Sequence, residues 1–126
     1  MGKQELLAAI ERGDHAAIES ELDAGAEPNA ADRHGTALGH AVARGDLQAV
    51  ELLLARGADA DKTSDQGNAP LMLAAARGDV EIVRRLLDAG ADPDKRNKWG
   101  FTADDWARWP ANAAEVEALL ASRRGG

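Results

Sequence analysis

The tripeptide Arg-Gly-Asp occurs three times, at Arg12-Gly13-Asp14, Arg44-Gly45-Asp46 and Arg77-Gly78-Asp79, with spacings of 32 and 33 residues. A second set keeps the same step: Gly25-Ala26-Glu27, Gly57-Ala58-Asp59 and Gly90-Ala91-Asp92. A period of this size constrains the fold more than any other feature of the chain. Each unit is one small supersecondary piece that cannot bury its apolar face alone, so neighbouring units must stack. A chain of 126 residues holds close to four units. It divides into an N-terminal capping unit (1–31), two internal units (32–64 and 65–97) and a C-terminal capping unit (98–126), all one domain.

Within each unit the pattern reads as helix, tight turn, helix, long loop. Ile18 and Leu22, Val50 and Leu54, and Val83 and Leu87 are each four residues apart and therefore share one helical face. Asp14, Asp46 and Asp79 are placed to accept hydrogen bonds from the free N–H groups that open the second helix, at the positive end of its dipole. Gly25, Gly57 and Gly90 supply the left-handed residue that ends that helix, and Pro28 and Pro93 follow. Pro70 opens the first helix of the third unit, where its missing N–H costs nothing; Thr36 and Thr102 are the matching caps in units two and four. The four aromatic residues, Trp99, Phe101, Trp106 and Trp109, lie within one eleven-residue stretch. The rest of the core must be aliphatic, which suits close-packed helices better than a sheet.

The stretch Asp65-Gln66-Gly67-Asn68-Ala69-Pro70-Leu71-Met72-Leu73-Ala74-Ala75-Ala76-Arg77-Gly78-Asp79, continued through Val83, Leu86, Leu87 and Gly90 to Asp92, resembles one whole repeat of the ankyrin-repeat family. Asp32 to Asp61 is similar to it, Lys3 to Asn29 resembles an N-terminal cap, and Lys98 to Arg124 a C-terminal cap. The resemblance implies an all-α solenoid of stacked helix-turn-helix repeats with β-hairpin-type loops. It also implies a non-enzymatic module whose protein partner lies against the hairpin tips and the exposed side of the first helices. Carried onto this sequence, the tips are Arg33 and His34, then Gln66 and Asn68, then Lys98, Trp99 and Phe101. The helix positions are His40, Ala43 and Arg44, then Leu73, Ala76 and Arg77, then Asp105, Arg108 and Trp109.

The chain departs from the family where Thr-Pro-Leu-His usually opens the first helix. It has Thr36-Ala37-Leu38-Gly39, Ala69-Pro70-Leu71-Met72 and Thr102-Ala103-Asp104-Asp105, so the family's histidine bonds between repeats have no donor at that place. Gly39 inside a helix costs about 1 kcal/mol relative to Ala. Gly35 is followed directly by Thr36, whereas Asn68 separates Gly67 from Ala69; the second hairpin is one residue short, and unit two is expected to be the softest. Trp106 aligns with Leu73 and is expected to plug the end of the stack, with Trp99 and Trp109 either exposed or covering the cap's edge. Beyond Trp109 two registers stay open, since Leu119 and Leu120 fit a spacing of 33 and Glu115-Val116 one of 34.

Charge and motifs narrow the function. The composition, 44% apolar and 29% charged, is that of a globular chain and not of a disordered one. A net charge of −7 opposes a nucleic-acid backbone or an anionic membrane. Residues 1–31 hold most of the deficit, with two basic side chains against seven acidic ones. Lys62, Lys95 and Arg96 add basic charge near the tips, which would suit an acidic patch on a protein partner. Lys3, Glu5, Glu11 and Arg12 leave no apolar core for a signal peptide, and the longest charge-free run, Gln66 to Ala76, is too short to span a membrane. A cytoplasmic monomer is expected.

With no cysteine, thiolate metal sites and disulfides are excluded. His15, His34 and His40 belong to no catalytic or metal motif, so no cofactor is expected. Asp59 to Asp65 imitates a calcium loop but has Ser64 where Gly is needed and Pro70 where a bidentate Glu is needed. The Arg-Gly-Asp steps read as turn and cap chemistry, with Arg12, Arg44 and Arg77 stacked in a column beside Asp14, Asp46 and Asp79. The reading is therefore a binding module, such as an inhibitor, immunity-type partner or adaptor. Two rivals are a scaffold engineered without a natural partner, against which the missing residue after Gly35 argues, and a small-ligand protein or enzyme. The latter would need a buried pocket in which His15 or His40 meets convergent carboxylates.

Overall fold

The computed structural model describes residues 2–107 and 112–124. They form α1 (Gly2–Arg12), α2 (His15–Asp23), β1 (Ala31–Asp32), β2 (Gly35–Thr36), α3 (Ala37–Ala43), α4 (Leu47–Ala55), α5 (Pro70–Arg77), α6 (Val80–Asp88), α7 (Ala103–Trp106) and α8 (Ala113–Arg124). The helices pair in order, and the pairs stack in two layers. One layer runs α1, α3, α5, α7 and the other α2, α4, α6, α8. This is an all-α solenoid; among the described residues one strand pair forms, with Ala31 facing Thr36 and Asp32 facing Gly35, and the hairpin-type loops at the same place in units three and four are turns without strands. Among the described residues no helix is long and apolar enough to cross a membrane.

The Arg-Gly-Asp turn serves two helices at once. Gly13, Gly45 and Gly78 take φ of 67° to 68°. Their N–H groups bond Ile10, Val42 and Ala75 carbonyls, and the N–H groups of Asp14, Asp46 and Asp79 reach back to Ala9, Ala41 and Ala74. That pair of bonds is a Schellman ending for the first helix. The same aspartates then accept the N–H of Ala17, Ala49 and Ile82, capping the second. At its far end Gly25, Gly57 and Gly90 repeat the left-handed ending, with Ala26, Ala58 and Ala91 bonding Glu21, Leu53 and Leu86 carbonyls.

The core between the layers is aliphatic. Leu6, Ile10, Ile18, Leu38, Leu53, Leu71, Met72, Ile82, Leu86 and Leu120 are all but completely buried. Val116 and Leu120 are buried as Val83 and Leu87 are, so the last helix keeps the spacing of 33. Trp106 packs against this core from a half-buried position. On the outer helices Arg56 pairs with Asp23 at 2.6 Å, Arg85 with Glu51 at 3.0 Å and Arg123 with Asp88 at 2.6 Å. Each joins successive units, and being exposed each contributes only about 0–1 kcal/mol.

The expected column of arginine–aspartate pairs forms differently. Only Arg12 and Asp14 approach, at 3.9 Å. Asp46 turns its carboxylate to His15 Nε2 at 2.8 Å, while Arg77 lies over Gly45 and donates to the Ala43 carbonyl at 2.9 Å. A guanidinium above a left-handed turn meets the last carbonyls of the preceding helix, which have no partner within that helix, while Asp79 is occupied in capping Ile82. Nor does the Asp59 to Asp65 loop gather its carboxylates. Asn29 accepts the Asp59 N–H and Asp61 accepts the Asp92 N–H, each across to the next unit.

The short second hairpin has a clear cause. In unit three Ser64 N–H bonds the Asn68 carbonyl, and in unit four Asn97 N–H bonds the Phe101 carbonyl, so both loops hold five residues. Unit two lacks the fifth residue, so Gly35 pairs directly with Asp32 and Arg33-His34 is a two-residue turn. The helix that follows, α3, is 7 residues long against 8 for α5, and carries Gly39 in its interior. Amides of Ala37–Ala43 are expected to exchange several-fold faster than those of Leu71–Arg77 in native-state hydrogen exchange; equal protection would rule out a soft second unit.

Candidate functional site

One short polar residue opens each hairpin and fixes it through its own backbone. In unit two it is Asp32, whose Oδ1 accepts the N–H of His34 at 2.9 Å and of Gly35 at 3.1 Å. In unit three it is Ser64, whose Oγ accepts the Asn68 N–H at 3.3 Å. In unit four it is the buried Asn97, whose Oδ1 accepts the N–H of Trp99 at 2.9 Å and of Phe101 at 3.0 Å. These are Asx- and ST-turn bonds. They hold the tips in fixed order, and Asn97 Nδ2 to Asn68 Oδ1 at 3.1 Å, with Lys98 N–H to the Gln66 carbonyl at 2.8 Å, locks hairpin four onto hairpin three.

Of the residues singled out from the sequence, His34, His40, Gln66 and Asn68 come together. With Gly39, Ala43, Ser64 and Leu73 they line a notch of about 150 Å³ between units two and three. Lys98, Trp99 and Phe101 stand beside it on hairpin four. Trp99 is 59% exposed and Phe101 48%, and Lys98 Nζ lies 5.8 Å from the centre of the Trp99 ring. Arg33 is exposed at the turn of hairpin two. Arg44 and Arg77 are also exposed, but both lie toward the helix-pair turns, near Gly13 and Gly45. Arg108 and Trp109 lie outside the described residues. Asn97 and Ser64 were not among the sequence candidates; the spacing of 32 and 33 that links Asp32, Ser64 and Asn97 is the signal that could have found them.

The histidines join units one and two. His15 meets Asp46 from the preceding unit, and His40 turns Nε2 to Asp32 at 3.0 Å and Nδ1 to Glu11 at 3.5 Å. The inter-repeat role that the missing fourth-place histidine would fill is thus taken one residue later. Both ring nitrogens of His40 face carboxylates, while the Thr36 and Ser64 hydroxyls share the notch. Among the described residues no group of three His, Asp or Glu side chains could hold a metal ion.

The His40 bond holds the Asp32 carboxyl below the usual carboxylate range; the His34 and Gly35 N–H groups act in the same sense, against partial burial. A carboxyl lowered in the folded state stabilises the fold above its unfolded pKa, and that contribution is lost as pH falls through the folded value. An NMR titration of the Asp32 carboxyl carbon is expected to show a midpoint below 3.8, moved upward in His40→Ala. Asp32→Asn should destabilise the chain at neutral pH and lose that effect in acid.

A family model described as ankyrin repeats, in three copies, matches residues 6–97. The match covers the first three helix pairs and stops before the exposed tip of hairpin four. No curated protein matches the chain.

Proposed function

Because the chain belongs to the ankyrin-repeat family, whose repeats are generally protein-interaction modules, we propose that it is a dedicated, non-enzymatic binder that engages a protein partner with its hairpin tips and first helices. The observation that carries this reading is the exposed Trp99 and Phe101 pair, whose two backbone N–H groups share one buried acceptor, Asn97 Oδ1. Large apolar side chains held out in water oppose solubility, and tryptophan is enriched among the few residues that dominate binding energy. A tip already ordered by Asn97 loses little entropy on docking.

The neighbouring residues fit the same role. Gln66, Asn68 and Lys98 lie beside the apolar pair, and Arg33 and Lys62 add basic charge on the tip and loop of unit two. This charge favours a partner with an acidic patch, which would be drawn in and oriented by it. Arg44 and Arg77 belong to a second, outlying edge of that surface. The notch, at about 150 Å³, is smaller than the roughly 300–1,000 Å³ of pockets that hold metabolites, so a catalytic reading has little support. As an adaptor, inhibitor or immunity-type partner the chain would act by occupying its partner's surface.

Affinity capture from the source cell tests the proposal. The wild type is compared with Trp99→Ala/Phe101→Ala and with Glu19→Ala, an exposed change on α2 away from the tips. The aromatic double variant is expected to lose about 2 kcal/mol, or about thirtyfold, in affinity for the captured partner, while Glu19→Ala captures normally. Equal capture by all three would remove the tip-centred site.

A further inference from the structure

We propose that the stack is hinged between units two and three, so that hairpin two turns with unit one as one body and hairpins three and four turn together as another. This goes beyond the protein-binding reading and does not depend on it. Each joint between successive units is tied on its outer side, by Arg56 to Asp23, Arg85 to Glu51 and Arg123 to Asp88. Each is tied again at the helix-pair turns. There His15 meets Asp46, Arg77 donates to the Ala43 carbonyl, and Asn112 Nδ2 donates to the Gly78 carbonyl at 2.7 Å. The inner side, where the hairpins lie, differs from joint to joint. Units three and four are locked there by Lys98 N–H to the Gln66 carbonyl and by Asn97 Nδ2 to Asn68 Oδ1. Units one and two are joined through His40, whose ring stands between Asp32 and Glu11. Among the described residues no hydrogen bond joins hairpin two to hairpin three, because the bonds of Asp32 and of Ser64 stay within their own hairpins. The notch of about 150 Å³ lies in that place.

The gap has its cause in the sequence, where both halves of the lock are missing. In place of the Asn97 amide unit three has the Ser64 hydroxyl, and Asn68, which accepts from Asn97, has no counterpart in the short hairpin of unit two. Gly39 then removes the side chain that would bridge α3 to α5 beneath the hairpins. At the matching place unit three has the buried Met72 and unit four has Asp105. A Cβ on Gly39 would lie 3.7 Å from Leu73 Cδ1, so any longer side chain would close the space. What is left is the packing of α3 on α5, in which Leu38, Val42, Leu71 and Ala75 are buried. Apolar contact has no fixed direction and tolerates a small rotation, whereas a hydrogen bond weakens as its angle departs from linear. A joint tied along one edge and open along the other turns about the tied edge. The motion is largest at the tips. Arg33 and His34 ride on one body and Gln66, Lys98, Trp99 and Phe101 on the other, so the hinge sets the width of the surface that a partner meets. A partner touching both bodies fixes the angle and gives up the entropy of the joint.

Amide relaxation dispersion and residual dipolar couplings of the free full chain test the hinge. Exchange on the microsecond-to-millisecond scale of hinge motion is expected at Gly35, Gly39, Ser64 and Asn68, which line the notch, with one shared rate. Lys98 and Phe101 are expected to give flat profiles. Couplings from units one and two should fit one alignment and those from units three and four another of different magnitude. Ser64→Asn combined with an asparagine inserted between Gly35 and Thr36 restores both halves of the lock, and should lower the exchange several-fold and merge the two alignments. If that variant fails to fold, the wild-type couplings decide alone. Flat profiles at the notch, a single alignment for all four units, or exchange confined to Ala37–Ala43 would overturn the hinge, the last because α3 would then be fraying by itself. Undiminished exchange in the folded, restored variant would overturn it as well, since the missing lock would not be its cause. Should the hinge fall while capture still depends on Trp99 and Phe101, the binding-module reading stands.

Discussion

Gly67→Ala is expected to lower stability by about 2–4 kcal/mol, and to loosen hairpins three and four together. Two independent costs add at this position. Gly67 has φ of 80°, where an L-residue pays about 1–2 kcal/mol. A Cβ there would also stand 3.0 Å from the Lys98 nitrogen and 3.2 Å from Asn97 Cα. Those are backbone atoms of the next hairpin and cannot rotate aside. The hairpin would have to lift, stretching the Lys98 N–H bond to the Gln66 carbonyl and the Asn97 bond to Asn68 that hold it down. Gly25→Ala is the control, because its φ is 102° but nothing lies within 4 Å of the added carbon, so it should cost only the backbone term. Thermal melts of the two variants measure the difference, and Trp99 fluorescence reports whether the tip has moved. Equal melting temperatures would mean that the hairpins are not packed backbone to backbone.

Leu71→Ala should destabilise the chain by about 2–5 kcal/mol, a large share of the roughly 5–15 kcal/mol that holds a domain folded. Leu71 is 1% exposed on α5, which packs against α3, α6 and α7. Deleting its branched end leaves a cavity that neighbouring helices, fixed by turns at both ends, cannot close. In a stack of repeats the loss is felt at two interfaces, since each unit is stabilised through its neighbours. Urea unfolding with tryptophan fluorescence for the C-terminal end and helical circular dichroism for the whole chain checks both points. Loss below about 1 kcal/mol would show that the site collapses freely.

The parts of the fold that were legible in the sequence are those governed by contacts within a few residues. Asp14, Asp46 and Asp79 cap helices because a carboxylate one residue past a left-handed glycine has free N–H groups within reach whatever the surroundings. Pro70 and Thr36 follow the same logic. No local pattern fixes the exposure of Trp99; it depends on Asn97, whose buried amide takes the backbone of the tip and leaves the indole in water. The expected arginine–aspartate column fails because local spacing suggests a pair, while the partner of Arg77 is a carbonyl 34 positions earlier.

The period, the ends of the helices, the aliphatic core and the family are readable without a fold, since all of these rest on residue types recurring at fixed short spacings. Which polar groups are spent and which are left over depends on the stacking of the units. His40 is consumed by Asp32 and Glu11, Asp46 by His15, and Asn68 Oδ1 by Asn97, while the Asn68 amino group and the space above Gly39 remain. The physical reason is that stacking brings residues about one repeat apart within bonding distance. Whether a given side chain is free then depends on its neighbour in the adjoining unit, which no local pattern reports.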